Sequence, residues 1–162
     1  LVGAQLAFAI QNNDMFAYER DLESMSRRYK DYVMLYLLSV IVRRFEQGET
    51  PQTAQEMAIK DRLPIRLVQQ LLSRLEETNI IRRVYVEQEE DETFVPALDT
   101  RKITVDMVVG RISAQGTEEF LQHTPPQMHA FWKRYLQMCE ANTSDNILVS
   151  DLWVNEVSRH AC

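Results

Sequence analysis

Glycine is scarce in this chain, four in 162 residues, and no two glycines are adjacent. A loop that wraps a phosphate with successive backbone amides needs glycines at close intervals, so a nucleotide loop of that kind is excluded. Cysteine is limited to Cys139 and Cys162. Their spacing suits no metal framework and fits free thiols in a reducing compartment. His123, His129 and His160 are the only histidines, and none falls in a metal-ligand spacing such as H-E-x-x-H. No nucleophile elbow occurs, and the carboxylates lie in solvated runs that offer no defined acid–base pair. The chain therefore reads as a non-enzyme with no catalytic residue, no metal, no cofactor and no evident small-molecule substrate. Positive charge is also in deficit: 18 Lys and Arg stand against 24 Asp and Glu, a net charge of −6. A whole-chain basic field that would draw in nucleic acid is absent.

Long hydrophobic runs are missing too. The nearest approach is LVGAQLAFAIQNN, uncharged from Leu1 until Asp14. It falls short of the ~20 apolar residues that cross a bilayer. It reads equally as an apolar N-terminal helix or as the cut end of a longer membrane helix, with Gly3, Ala4, Ala7 and Ala9 as small packing residues. Asp14 to Lys30 is densely charged, Arg20, Arg27, Arg28 and Lys30 against Asp14, Glu19, Asp21 and Glu23, and reads as a solvated helix face or a membrane flank.

What the chain does have is helical periodicity. Tyr29, Tyr32, Val33, Tyr36, Leu37, Val40, Ile41 and Phe45 recur at three- and four-residue steps and predict a helix that stops at Gly48. Thr53 to Lys60 predicts a short second helix, with Thr53 and Glu56 as a capping box. Asp61 to Pro64 is a turn, with Pro64 as a first helical residue. A third helix follows to about Thr78, its stripe Ile65, Val68, Leu71, Leu72 and Leu75, and Asn79 ends it. Ile81, Val84 and Val86 predict a strand, Gln88 to Glu92 a loop, and Thr93 to Leu98 a second strand. Helix, short helix, turn, helix and hairpin is the order of a winged helix. The fold class is thus mainly α with a small β-hairpin, a winged helix with additional N- and C-terminal helices. Downstream, Thr104 caps a helix carrying Val105, Val108, Val109 and Ile112. Pro125-Pro126 opens another with Met128, Phe131, Trp132, Tyr135, Met138 and Cys139 turned inward. Ser150 caps a last one with Leu152, Trp153 and Val157. The units are residues 1–28, the apolar run with its two readings and a charged linker helix; 29–98, the winged helix; and 99–162, a helical extension packed on it.

A winged helix raises the question of DNA, because its third helix enters the major groove and its wing touches the backbone. Residues 53–86 carry six basic and four acidic side chains, a local charge of +2. Lys60, Arg62 and Arg66 form the best candidate nucleic-acid contact. The wing tip opposes it: Glu87, Glu89, Glu90, Asp91 and Glu92 put five acids into six residues, a charge that phosphates repel. That tip reads as a solvated turn or an acidic protein-contact site, and DNA ranks below protein contact as a partner.

The stretches LVGAQLAFAIQN, SRRYKDYVMLYLL, ETPQTAQEMA, LPIRLVQQLLSRLEETNII and FVPALDTRKITVDMVVGRI resemble the C-terminal region of the YihY/BrkB family of bacterial inner-membrane proteins, long labelled ribonuclease BN-like. The resemblance covers roughly residues 1–115. It implies a piece of a multi-span protein on the cytoplasmic face of the inner membrane, joined to the membrane by residues upstream of Leu1. It implies no site residues, and the ribonuclease label brings no matching metal motif. The resulting expectation is a winged-helix tail acting in self-association or regulation, with its own membrane portion or a second copy of the chain as partner. The alternatives are a DNA-binding transcriptional regulator and part of a tRNA-processing ribonuclease.

Overall fold

The computed structural model describes residues 24–86, 91–117, 125–141 and 146–156. The expected helix over residues 1–13, the acidic residues Glu87, Glu89 and Glu90, and His123, His160, Val157 and Cys162 lie outside the described residues.

Helix α1 spans Arg27–Glu46. No glycine or proline interrupts it, and the Ser26 side chain caps it by accepting from the Tyr29 amide. It ends where Gly48 takes φ +67° and the Glu49 amide donates back to the Arg44 carbonyl, a left-handed terminus suited to glycine. The buried face is Val33, Met34, Leu37, Leu38, Ile41 and Val42. Tyr29, Tyr32 and Phe45, expected on that stripe, are instead 50%, 65% and 55% exposed. They lie at the edges of the periodic pattern, where aromatic rings fit a wide stripe without being covered.

Helix α2 spans Ala54–Asp61, and the Thr53/Glu56 capping box is present in both directions. Arg62 closes it in the left-handed region, φ 53°, while the Leu63 amide donates to the Ala58 carbonyl. Pro64 is the residue before helix α3, Ile65–Glu77, not its first helical residue. Leu67, Val68, Leu71, Leu72 and Leu75 of α3 are buried against α1 and α2; Leu67 joins the stripe and Ile65 sits at its rim, 39% exposed. Asn79, at φ 55°, ends α3, as its short polar side chain permits.

Strands β1, Ile81–Tyr85, and β2, Glu92–Pro96, pair antiparallel, with Ile81 opposite Pro96 and Tyr85 opposite Glu92. A lone bridge between Thr53 and Thr93 ties the hairpin to the start of α2. The chain then runs through a 3₁₀ turn, Thr100–Lys102, into α4, Val105–Ser113, capped by Thr104. Val108 and Ile112 of α4 enter the same core.

Helix α5 covers Pro126–Ala141. Its apolar residues are not turned inward: Met128, Phe131, Trp132, Tyr135 and Met138 are 46–62% exposed, and Cys139 is free and exposed. Helical spacing selects a face but not what covers it, and α5 offers this face to solvent. The last described segment returns to the core. Val149 and Ile103 pair through the backbone, as do Val105 and Ile147. In the 3₁₀ helix Val149–Glu156, Trp153 lies on α1. Its indole donates to the Ser39 hydroxyl at 3.0 Å, its ring meets Tyr36 at 5.9 Å, and the Arg43 guanidinium covers it at 5.0 Å. Element order, hairpin and helix-turn-helix together are a winged helix with further helices.

Candidate nucleic-acid interface

Burying one side of α3 fixes what its other side presents. With Leu67, Val68, Leu71, Leu72 and Leu75 inside, the residues at positions 66, 69, 70 and 73 share the outer face by their three- and four-residue spacing. Arg66, Gln69, Gln70 and Ser73 are all exposed. Arginine matches the acceptor pair of guanine, and glutamine matches the donor–acceptor pair of adenine. Sequence reading found Arg66 and passed over the other three. Their signal was present as the complement of the apolar stripe.

Lys60 and Arg62 are exposed at the end of α2 and in the turn before α3. The three basic residues singled out in the sequence therefore gather around the turn and the first part of α3. Arg82, exposed on β1, adds a cation at the wing.

The acids of this region are placed differently from what a simple sum suggests. Glu56 completes the capping box at the other end of α2. Asp61 accepts a hydrogen bond from the Tyr36 hydroxyl at 2.8 Å; burial, and then this bond, push the tyrosine up to about 12. Glu76 pairs with Arg83 at 2.8 Å, and Glu77 accepts from the Gln115 side chain. Each carboxylate is committed to an internal contact, and two of the four stand at the far end of α3.

The wing tip is modified in the same way. Glu92 pairs with Arg83 at 2.6 Å and accepts from the Tyr85 hydroxyl at 3.4 Å. One guanidinium thus joins the end of α3 to both strands of the hairpin, lying 5.9 Å from the Phe94 ring centre. Hydrogen bonds to Glu76 and then Glu92 hold its pKa well above the ordinary arginine value. Asp91 is exposed. Among the described residues no group of His, Cys, Asp and Glu is arranged to hold a metal ion.

No family model matches the chain, and no curated protein matches it. Solved structures do. IscR of T. potens aligns with a TM-score of 0.56 at 16% identity, over 87% of this chain and 95% of that one. CymR of B. subtilis, the global cysteine regulator, aligns with a TM-score of 0.52 at 18% identity, over 80% and 95%. CymR of Staphylococcus aureus gives 0.51 at 17% identity, over 76% and 94%. Likeness at this identity establishes the fold.

These findings correct the expected role. A winged-helix tail beneath the inner membrane is not what the chain resembles in three dimensions: its likeness runs along 95% of CymR of B. subtilis, described as a regulator. No described helix is long and apolar enough to cross a membrane. The membrane-fragment, YihY and ribonuclease labels, the membrane partner and the inner-membrane location fall with it. The physical reason lies partly in residues 116–162, which the sequence resemblance left uncovered. Val149 and Trp153 from that stretch join the core and cover α1, so its last described segment is part of the fold.

Proposed function

We propose that this chain is a DNA-binding regulator, not an enzyme, that reads the major groove with the outer face of α3. The observation that carries this is the row Arg66, Gln69, Gln70 and Ser73 on the face opposite a fully buried stripe, with Lys60 and Arg62 beside its first turn. In helix-turn-helix proteins the N-terminal residues of the second helix contact base edges, and here that end carries the cations. The likeness to CymR, a regulator by its description, supports the same reading.

A second copy of the chain is the partner that suits α5. Met128, Phe131, Tyr135 and Met138 repeat at three- and four-residue steps along its exposed face, the spacing of a two-helix seam. Helix-turn-helix dimers place two reading helices one turn of DNA apart. The test is selection of binding sites from random duplexes, followed by titration at several salt concentrations. A palindromic site bound with strong salt sensitivity is the expected result. Failure to enrich any duplex, with salt-insensitive weak binding throughout, would refute the reading.

A further inference from the structure

We propose that a cavity at the base of the wing binds a small neutral aromatic molecule carrying one hydrogen-bond donor, a phenol in its simplest form, and that its occupancy adjusts the DNA-reading surface. The second half rests on the function proposed above; the first does not.

The cavity measures about 190 Å³. Its apolar walls are Ile41 and Phe45 from the end of α1, Met57 from α2, and Phe94 and Val95 from β2. A closed apolar cavity of about 150 Å³ takes up benzene; this one, open to solvent beside the exposed Phe45, has room for a ring and a short substituent. Two phenylalanine rings and a methionine sulfur favour an aromatic guest.

The polar part of the lining selects the substituent. Gln52 belongs to the wall, and its Oε1 is buried with no hydrogen-bond partner. A buried acceptor left unpaired is costly; with no surface of its own open to the cavity, Oε1 meets a guest hydroxyl or amine once the Gln52 amide turns toward it. Charge at the rim is already balanced. Arg44 donates to the Thr50 carbonyl from Nε and Nη2 at 3.0 and 2.8 Å, and its Nη1 pairs with Glu49 at 2.8 Å. With this guanidinium engaged, the rim offers a carboxylate nothing in surplus, and a neutral guest is preferred.

Position gives the cavity its consequence. Its walls belong to α1, to α2 and the segment leading into it, and to the wing. The Thr53–Thr93 bridge, next to Gln52 and Phe94, is the backbone link between α2 and β2. A guest wedged there moves β2 against α2, and so moves the wing against α3.

Calorimetric titration of the full chain with phenol, and with toluene as the donor-free comparator, tests the site. Saturable phenol binding is expected on the order of 1 mM or tighter, within what so few atoms can supply. Gln52→Leu should weaken phenol about 5- to 10-fold, the worth of one hydrogen bond, and leave toluene unchanged. Val95→Phe, which fills the space from the wing side, should abolish both, with circular dichroism confirming that each variant folds. No saturable binding, or phenol binding that Val95→Phe leaves intact, overturns the site; equal losses of phenol and toluene in Gln52→Leu overturn the role of Gln52. Duplex affinity that saturating phenol does not change overturns the coupling. Phenol binding in a chain that binds no duplex refutes the proposed function and leaves the site standing.

Discussion

Arg62 separates stability from DNA affinity, because one substitution weakens the second while leaving the first unchanged or raised. It sits at φ 53°, a conformation that costs an L-residue roughly 1–2 kcal/mol and glycine almost nothing. Its own amide donates within the α2 terminus, so Arg62→Gly keeps that bond. Its side chain makes no part of the core. The variant should therefore be as stable as the parent or up to about 1 kcal/mol more stable, since greater unfolded-state freedom offsets part of the relief. DNA binding should weaken at the same time. Lys60, Arg62, Arg66 and Arg82 are exposed on α2, the turn, α3 and β1; Arg83, also exposed, is paired with Glu76 and Glu92 and is left out of the sum. If each neutralises one phosphate, the slope of log affinity against log salt is about −3.6 per protomer. Removing Arg62 brings it to about −2.7. Denaturant melts and fluorescence titrations between low and moderate salt measure the two quantities on the same preparation. Unchanged affinity and slope in a folded Arg62→Gly protein would refute the phosphate contact. A marked loss of stability would refute the account of the turn.

Gln69→Ala and Gln70→Ala should each cost about 1–3 kcal/mol of discrimination at one base position and leave the salt slope unchanged; binding-site selection with each variant reads this out. Leu71, 1% exposed in the middle of α3, should lose about 2–5 kcal/mol on truncation to alanine, measured by denaturant midpoint. Arg83→Met should destabilise by about 1 kcal/mol, because its two ion pairs are partly exposed and such pairs are individually weak; hydrogen exchange should then rise in β1 and β2 ahead of α1. Tyr36 holds its proton more tightly folded than unfolded, with a folded value of about 12. Stability should be intact below pH 10 and fall as pH rises from there through 12. Tyr36→Phe should remove that alkaline decline in pH-dependent melts.

The helices were legible because their signals are local. Thr53 and Glu56 specify a capping box three residues apart, and Asn79 specifies a left-handed end; both formed as read. The hairpin was legible from Ile81 and Val84 on one side and Phe94 and Val95 on the other, and its ends fell within about two residues of the expected bounds, a normal uncertainty for element ends. What the sequence could not give was pairing across distance. Glu92 was read as one of five acids at a tip, while its partner Arg83 lies across the hairpin. Trp153 finds Ser39 over a separation of 114 residues. The apolar residues of α5 show the same limit from the other side, since periodicity alone does not distinguish a face turned to the core from one turned to solvent.

The acidic composition placed DNA below protein contact as a partner, and distance along α3 weakens that ranking. A net charge of −6 belongs to the whole chain, but at physiological salt an exposed charge acts over a Debye length of about 8 Å. Arg66 and Glu77 mark opposite ends of the exposed edge of α3, and eleven residues at 1.5 Å each separate them by roughly 16 Å, about two such lengths. A phosphate beside the first turn of α3 therefore meets Lys60, Arg62 and Arg66, while Glu76 and Glu77 are largely screened from it. Glu76 is further offset by Arg83 at 2.8 Å. Summing charges over residues 53–86 treats both ends of the helix as one point and yields a weak surplus. Placing them along the helix yields a basic end beside the turn and an acidic end beside the hairpin. For a helix that meets the groove with its first turns, the basic end sets the sign of the encounter.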